Sequence, residues 1–140
     1  MPDTASTTPL AKKLRILPGN SIHILGAPDG FLAALEPLPE GAFISQQGVP
    51  CDVTLAFARD STQLAAVLET AIALTRAGGV LWFIHPKKSG ALASDLGRDQ
   101  LAAQVSRASG WGPVAAVAID ETWSGLRFKP EASMPRGRRR

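Results

Sequence analysis

The chain has a single cysteine, Cys51, which excludes an intramolecular disulfide and fits a reducing compartment. Its longest apolar runs, such as Gly79–Ile84, fall far short of the ~20 residues a membrane helix needs, so no membrane role is expected. The opening residues, 1–8, lack both a basic segment and an apolar one, so no signal peptide is visible and the cytoplasm is the expected location. Two histidines and one cysteine without paired ligand spacing leave no zinc site, and no metal is expected. Glycine and proline, 13 and 11 of 140 residues, stay below the roughly 25–30% that marks low complexity. What remains is a globular profile, 45% apolar and 19% charged, of a length that fits one domain.

The net charge of +3 belongs to one end of the chain. Arg136, Arg138, Arg139 and Arg140 lie in the last five residues, and setting them aside leaves 11 of the 15 basic side chains against 12 acidic ones. The folded part is thus nearly neutral, and no basic nucleic-acid-binding face is expected on it. The four arginines are the candidates for weak, salt-sensitive contact with nucleic acid. The alternative is a disordered, solubilising end.

Residues 1–8 are small and polar and read as a flexible N-terminus. Thr8-Pro9 suggests a helix cap with proline at the first helical position, before a short stripe of Leu10, Ala11 and Leu14. Ser21–Gly26 predicts a buried strand, Asp29 a cap for a helix over Phe31–Glu36, and Ala42–Ser45 a short strand. Cys51–Ala58 predicts a second buried strand, with Cys51 a small core residue. Ser61 is the expected cap of a helix carrying Leu64, Val67, Leu68, Ala71, Ile72 and Leu74, closed by Gly78-Gly79. Val80–Ile84 predicts a third buried strand, followed by a polar loop from His85 to Gly90. A further helix is expected over Asp95–Ser109, with Leu101, Val105 and Ala108 on one face. Val114–Ile119 and Ser124–Phe128 form an antiparallel pair across a short turn. Trp82 is expected in the core, and Trp111 in a loop as an exposed contact. Residues 131–140 read as a flexible basic tail.

Strands that are apolar throughout and alternate with helices predict a parallel sheet covered on both faces. The expected fold is a three-layer α/β domain over 9–130, its sheet of about five to six strands ending in an antiparallel hairpin.

The segment Leu14–Gly30, a Pro-Gly turn, an apolar strand and a glycine-containing loop, resembles the entry to class I methyltransferases, which use S-adenosylmethionine (SAM). Asp52–Phe57 and Ala77–Phe83 are similar to the middle strands of that Rossmann-like fold. Over residues 10–128 the chain resembles a family of small, uncharacterised bacterial proteins, through Leu10–Leu14 with Pro18-Gly19, Pro86–Lys88 with Asp95, Arg98 and Asp99, and Asp120–Phe128. No activity comes with that match. The resemblance implies a shortened methyltransferase scaffold, with SAM as the possible cofactor. Against the methyltransferase pattern, Ile24 stands at the acidic position of the first strand. Pro28 stands where the middle glycine of three belongs, removing an N–H and the torsions glycine supplies. The ribose-binding carboxylate has no counterpart near Gln46-Gln47, and a helix–strand–helix unit is missing before Cys51.

Ligands of open α/β sheets bind beyond the carboxyl ends of the strands. Gly26–Gly30, Arg59-Asp60, His85–Lys88 and Asp120–Trp123 are expected to meet there. Gly26, Asp29, Gly30, Lys87, Lys88 and Trp123 are the ligand-binding candidates, suited to a small anion. His85 and Glu121 are the catalytic candidates, although Lys87 and Lys88 serve equally as ion-pair partners of Asp95, Asp99 or Glu121. Trp123 either lids a pocket or packs on the sheet. The leading expectation is a non-catalytic binding or regulatory domain on a degenerate scaffold. The alternatives are an enzyme acting on an anionic small molecule, residual SAM-dependent methyl transfer included, and a nucleic-acid-associated accessory protein. A protein partner is open, and exposed sheet edges make a homodimer a further expectation.

Overall fold

The computed structural model describes residues 9–45, 47–87 and 96–130. Chain order runs α1 (Leu10–Lys13), β1 (Ser21–Leu25), α2 (Phe31–Leu35), β2 (Phe43–Ile44), β3 (Cys51–Phe57), α3 (Ser61–Ala73), β4 (Thr75–Pro86), α4 (Arg98–Ser109), β5 (Trp111–Ala118) and β6 (Trp123–Pro130). The strands form one six-stranded sheet in the order β2-β1-β3-β4-β6-β5. The first four are parallel, and β6 runs antiparallel to both β4 and β5. The expected mostly parallel sheet with a terminal hairpin is what forms.

Alternation along the inner strands builds two cores. Val53, Leu55 and Phe57 of β3 and Trp82 and Ile84 of β4 pack with Ala11, Leu14, Phe31 and Leu35, under α1 and α2. Ala56 of β3 and Leu81 and Phe83 of β4 face Leu64, Leu68, Leu101 and Val105, under α3 and α4. Successive side chains of a strand point to opposite faces, so a strand buried on both sides must be apolar at nearly every position. The result is three layers, helices on sheet on helices.

Several local expectations are corrected. Pro9 is the cap residue of α1, not its first helical residue. Asp29 does not cap α2: Gly30 occupies the cap position in the left-handed region, with no side-chain bond. At α3 the cap is Asp60, not Ser61; its Oδ1 accepts the Gln63 N–H at 2.9 Å, and Gln63 Oε1 accepts the Arg59 N–H at 2.8 Å. That reciprocal exchange satisfies amides that a helix start leaves without partners. Gly78-Gly79 does not close α3, which ends at Ala73 with Leu74 as its cap; the pair lies inside β4. A Cβ on Gly79 would stand 2.8 Å from the Asp52 carbonyl and 2.9 Å from that of Arg76, so glycine here serves a close backbone approach.

On the far side, α4 starts at Arg98 with Gly97 as cap, and Ala108 is exposed. Trp111 opens β5 and packs, half-buried, against the α3–α4 core instead of standing in a loop. Cys51 is buried as expected, its thiol donating to the Val49 carbonyl. Among the described residues no helix is long and apolar enough to cross a membrane. The expectations for Thr8, Lys88, Asp95, the first eight residues and the arginine-rich end lie outside the described residues.

Candidate functional site at the carboxyl edge of the sheet

β1, β3 and β4 end together, and the start of β6 is pinned beside them by the pairing of Trp123 with Pro86. The expected gathering of loops at this edge therefore occurs, but it divides into separate cavities. The first, about 340 Å³, is lined by Gly26, Ala27, Pro28, Phe57, Arg59, Gln63, Ala66, Val67 and Trp123. Gly26 has φ +69°, and a Cβ there would stand 3.4 Å from the Phe57 carbonyl, so the turn out of β1 lies tight against the end of β3. Phe57 meets Phe31 edge-on at 4.8 Å and Trp123 at 5.2 Å, an arrangement favoured by ring quadrupoles. Trp123 is 6% exposed, so it packs in the core while its rim lines the cavity.

The second cavity, about 410 Å³, adjoins the first at Ala27 and is lined by His23, Ile24, Ala27, Leu32, Ile44 and Ser45. His23 Nδ1 is buried with no hydrogen-bond partner among the described residues. A buried nitrogen left unpaired is costly, and a ligand that supplies the missing bond recovers that cost. Sequence reasoning passed over His23. That a polar side chain stands within an otherwise apolar strand is readable in the sequence, but not that its nitrogen lacks a partner.

The third cavity, about 470 Å³, holds His85, Lys87, Gly97, Arg98, Asp99, Gln100 and Ser124. His85 is buried, with Nδ1 3.0 Å from the Pro86 carbonyl. Burial holds its pKa below the ordinary histidine value; bonds to the backbone of Pro86 and Leu96 oppose that shift, and Arg98 adds to it. The contact with the Pro86 carbonyl orients the ring at the end of β4. Lys87 is half-buried and its N–H donates to the Thr122 carbonyl at 2.8 Å.

The remaining candidates are not gathered. Asp29 and Glu121 are exposed and line none of these three cavities, and neither does Gly30. Asp120, in contrast, shapes the turn into β6, its Oδ1 accepting the N–H groups of Thr122 and Trp123 at 2.8 Å each. No cluster of three or more His, Cys, Asp or Glu able to hold a metal ion occurs among the described residues.

Neither a protein-family model nor a curated protein matches the sequence. Solved structures do. The ribosomal protein L11 methylase of Lactobacillus delbrueckii subsp. bulgaricus matches with a TM-score of 0.58 at 10% identity, covering 87% of this chain and 75% of its own. The DhpI–SAH complex matches with 0.58 at 14%, covering 92% and 86%. A SAM-dependent methyltransferase from Aquifex aeolicus matches with 0.56 at 12%, covering 91% and 93%. At such identities the likeness speaks for the fold: this chain is built on the Rossmann-like scaffold of SAM-dependent methyltransferases.

Proposed function

We propose that the protein is a non-catalytic binding domain, which uses the paired cavities about Ala27 to hold a compact, uncharged or anionic ligand without transferring a group. The observation that carries this reading is the charge of the lining. Among the described residues no carboxylate faces either cavity, and Arg59 is the ionised group at the rim. SAM differs from its demethylated product by a fixed sulfonium charge, which needs a negative partner once water is displaced. Pro28 also withholds a backbone N–H from the turn that would carry the ligand. These residues therefore do not fit the charged methyl donor, although they suit a nucleoside-like molecule with no sulfonium, such as S-adenosylhomocysteine (SAH). The aromatic wall of Phe57 and Trp123 offers apolar contact, and His23 Nδ1 offers one hydrogen bond.

A thermal-shift titration against SAH, SAM, adenosine, nucleotides and inorganic phosphate tests the proposal. Saturable stabilisation by SAH or adenosine exceeding that by SAM is expected, reaching about 2.7 kcal/mol at a hundredfold excess over Kd. Replacing Ala27 by Phe should abolish it by filling the junction of the two cavities. Conversion of SAM to SAH by the purified protein would overturn the reading. A second reading places a small anion between Lys87 and Arg98 in the cavity of His85. Phosphate stabilisation lost in Lys87→Ala, yet kept in Ala27→Phe, would support that site in place of the first.

A further inference from the structure

On the α1 face of the sheet, away from the carboxyl edge, lies a groove of about 410 Å³ lined by Lys12, Lys13, Arg15, Trp82, Val114, Ala115, Val117, Arg127 and Lys129. Five of these are cationic, and no carboxylate lines the groove among the described residues. The folded part stays nearly neutral in sum, 11 basic against 12 acidic side chains without the four terminal arginines, but its cations are unevenly spread. The charges come from sequence positions more than a hundred residues apart, and the fold brings them together. Lys12 and Lys13 close α1, and the exposed Lys13 Nζ lies 3.4 Å from the Ala118 carbonyl, next to the hairpin. Leu14 and Ile16 are buried on either side of Arg15, which stays exposed with its backbone in the left-handed region at φ 64°.

Arg127 sits half-buried in β6, between Trp82 on β4 and Ala115 on β5. Its Nε is buried and has no hydrogen-bond partner among the described residues. Burial and the neighbouring Arg15 both press its pKa downward, so a like-charge pair is held together without an intervening acid. An arginine donor left unpaired inside a ring of cations is an arrangement that an anion completes.

We propose that this groove binds the phosphodiester backbone of a nucleic acid. A phosphate chain presents acceptor oxygens and a charge at every nucleotide, which matches several cations lining one groove with no acid among the described lining residues. An acidic protein segment would bring its own backbone N–H and C=O groups, and β5, the edge strand among the described residues, is poorly made to pair them. Pro113 lacks an N–H, and the register slips between Pro113 and Ala115. Trp82 is only 1% exposed, so the groove offers no stacking platform and should not discriminate between bases.

Fluorescence anisotropy with a labelled oligothymidylate of about twelve nucleotides, read across a salt series with the full-length protein, tests the proposal. Two variants probe the groove: Lys12→Ala/Lys13→Ala/Lys129→Ala, all at exposed positions, and Arg127→Gln, which keeps the side-chain stem. A third changes the four terminal arginines to Ser. Each lost phosphate contact should lower the log–log salt slope by about 0.7, so the triple variant should lose about 2 of it and bind at least tenfold more weakly. The same triple change should weaken binding again in the background of the tail variant, with Tm unaltered. Wild-type binding by both groove variants would overturn the proposal and assign all binding to the terminal arginines. Competition by polyglutamate as effective as that by unlabelled oligonucleotide would also overturn it, in favour of an acidic protein partner.

Discussion

The two ends of the parallel sheet are closed by different chemistry. At the amino end the closure is polar. The Asp52 carboxylate accepts the Ser21 N–H at 2.8 Å, takes the Ser21 hydroxyl at 3.2 Å and pairs with Arg76, so one residue of β3 ties the starts of β1 and β4. Beneath it the Thr75 hydroxyl lies 2.8 Å from both the Thr54 hydroxyl and the Ala71 carbonyl. At the carboxyl end the closure is aromatic, through Phe31, Phe57 and Trp123, and the polar groups there line cavities. Directional bonds leave an end with fixed geometry and little room. Edge-on rings fill space on one side and leave an open surface on the other, which is what a binding edge requires.

Trp123→Ala gives the largest expected break of this contrast. Removing a buried indole from the ring cluster should cost about 3–5 kcal/mol and join the 340 Å³ cavity to the core. Urea unfolding measures it; a loss under 1 kcal/mol would mean that the rings do not close this end. At the opposite end Gly79→Ala should cost about 1–3 kcal/mol, because its Cβ meets two carbonyl oxygens that belong to the backbone and cannot swing aside. Gly78→Ala is the matched control. Nothing lies within 4 Å of its Cβ, so its cost should be only that of the left-handed φ of +80°, about 1 kcal/mol. Equal losses in the two variants would refute the close-approach account.

Much of the architecture was legible from the residues because doubly covered strands leave a continuous apolar signature, as in Cys51–Ala58 and Val80–Ile84. Local punctuation was read less well. Asp60 and Ser61 are both good caps, and only the Gln63 side chain, reaching back to Arg59, decides between them. Gly78-Gly79 has the composition of a helix stop, while its true constraint is a pair of carbonyls, one of them 27 residues earlier in the chain. Pro28, in the turn after β1, was visible as written, and it lines the 340 Å³ cavity. His23 and the cationic groove were not visible for a common reason. One depends on what fails to reach a nitrogen, the other on Lys12 and Lys129 becoming neighbours, and neither is a property of a local window.

The smallest expected effect separates the two ends by pH. At the amino end, Asp52 has its pKa lowered first by the Ser21 N–H, then, against desolvation, by the Ser21 hydroxyl and Arg76. Above the ordinary value of 3.8 the carboxylate is charged whether the chain is folded or not, and its contribution is fully present. As pH falls from there through the lower folded value, the unfolded chain takes up a proton first and the contribution is lost. At the carboxyl end His85 follows the same sign at higher pH, since burial lowers its folded pKa from 6.5 and disfavours the cation. Its contribution is complete above 6.5 and drains away below, where the unfolded chain binds a proton that the fold resists. Melting temperature should therefore decline as pH falls below 6.5, and decline further below 3.8. His85→Gln should flatten the decline that opens below 6.5, and Asp52→Asn the one that opens below 3.8. If His85→Gln leaves the upper decline untouched, the ring is not held neutral by its surroundings, and the carboxyl end is more open to water than its packing implies.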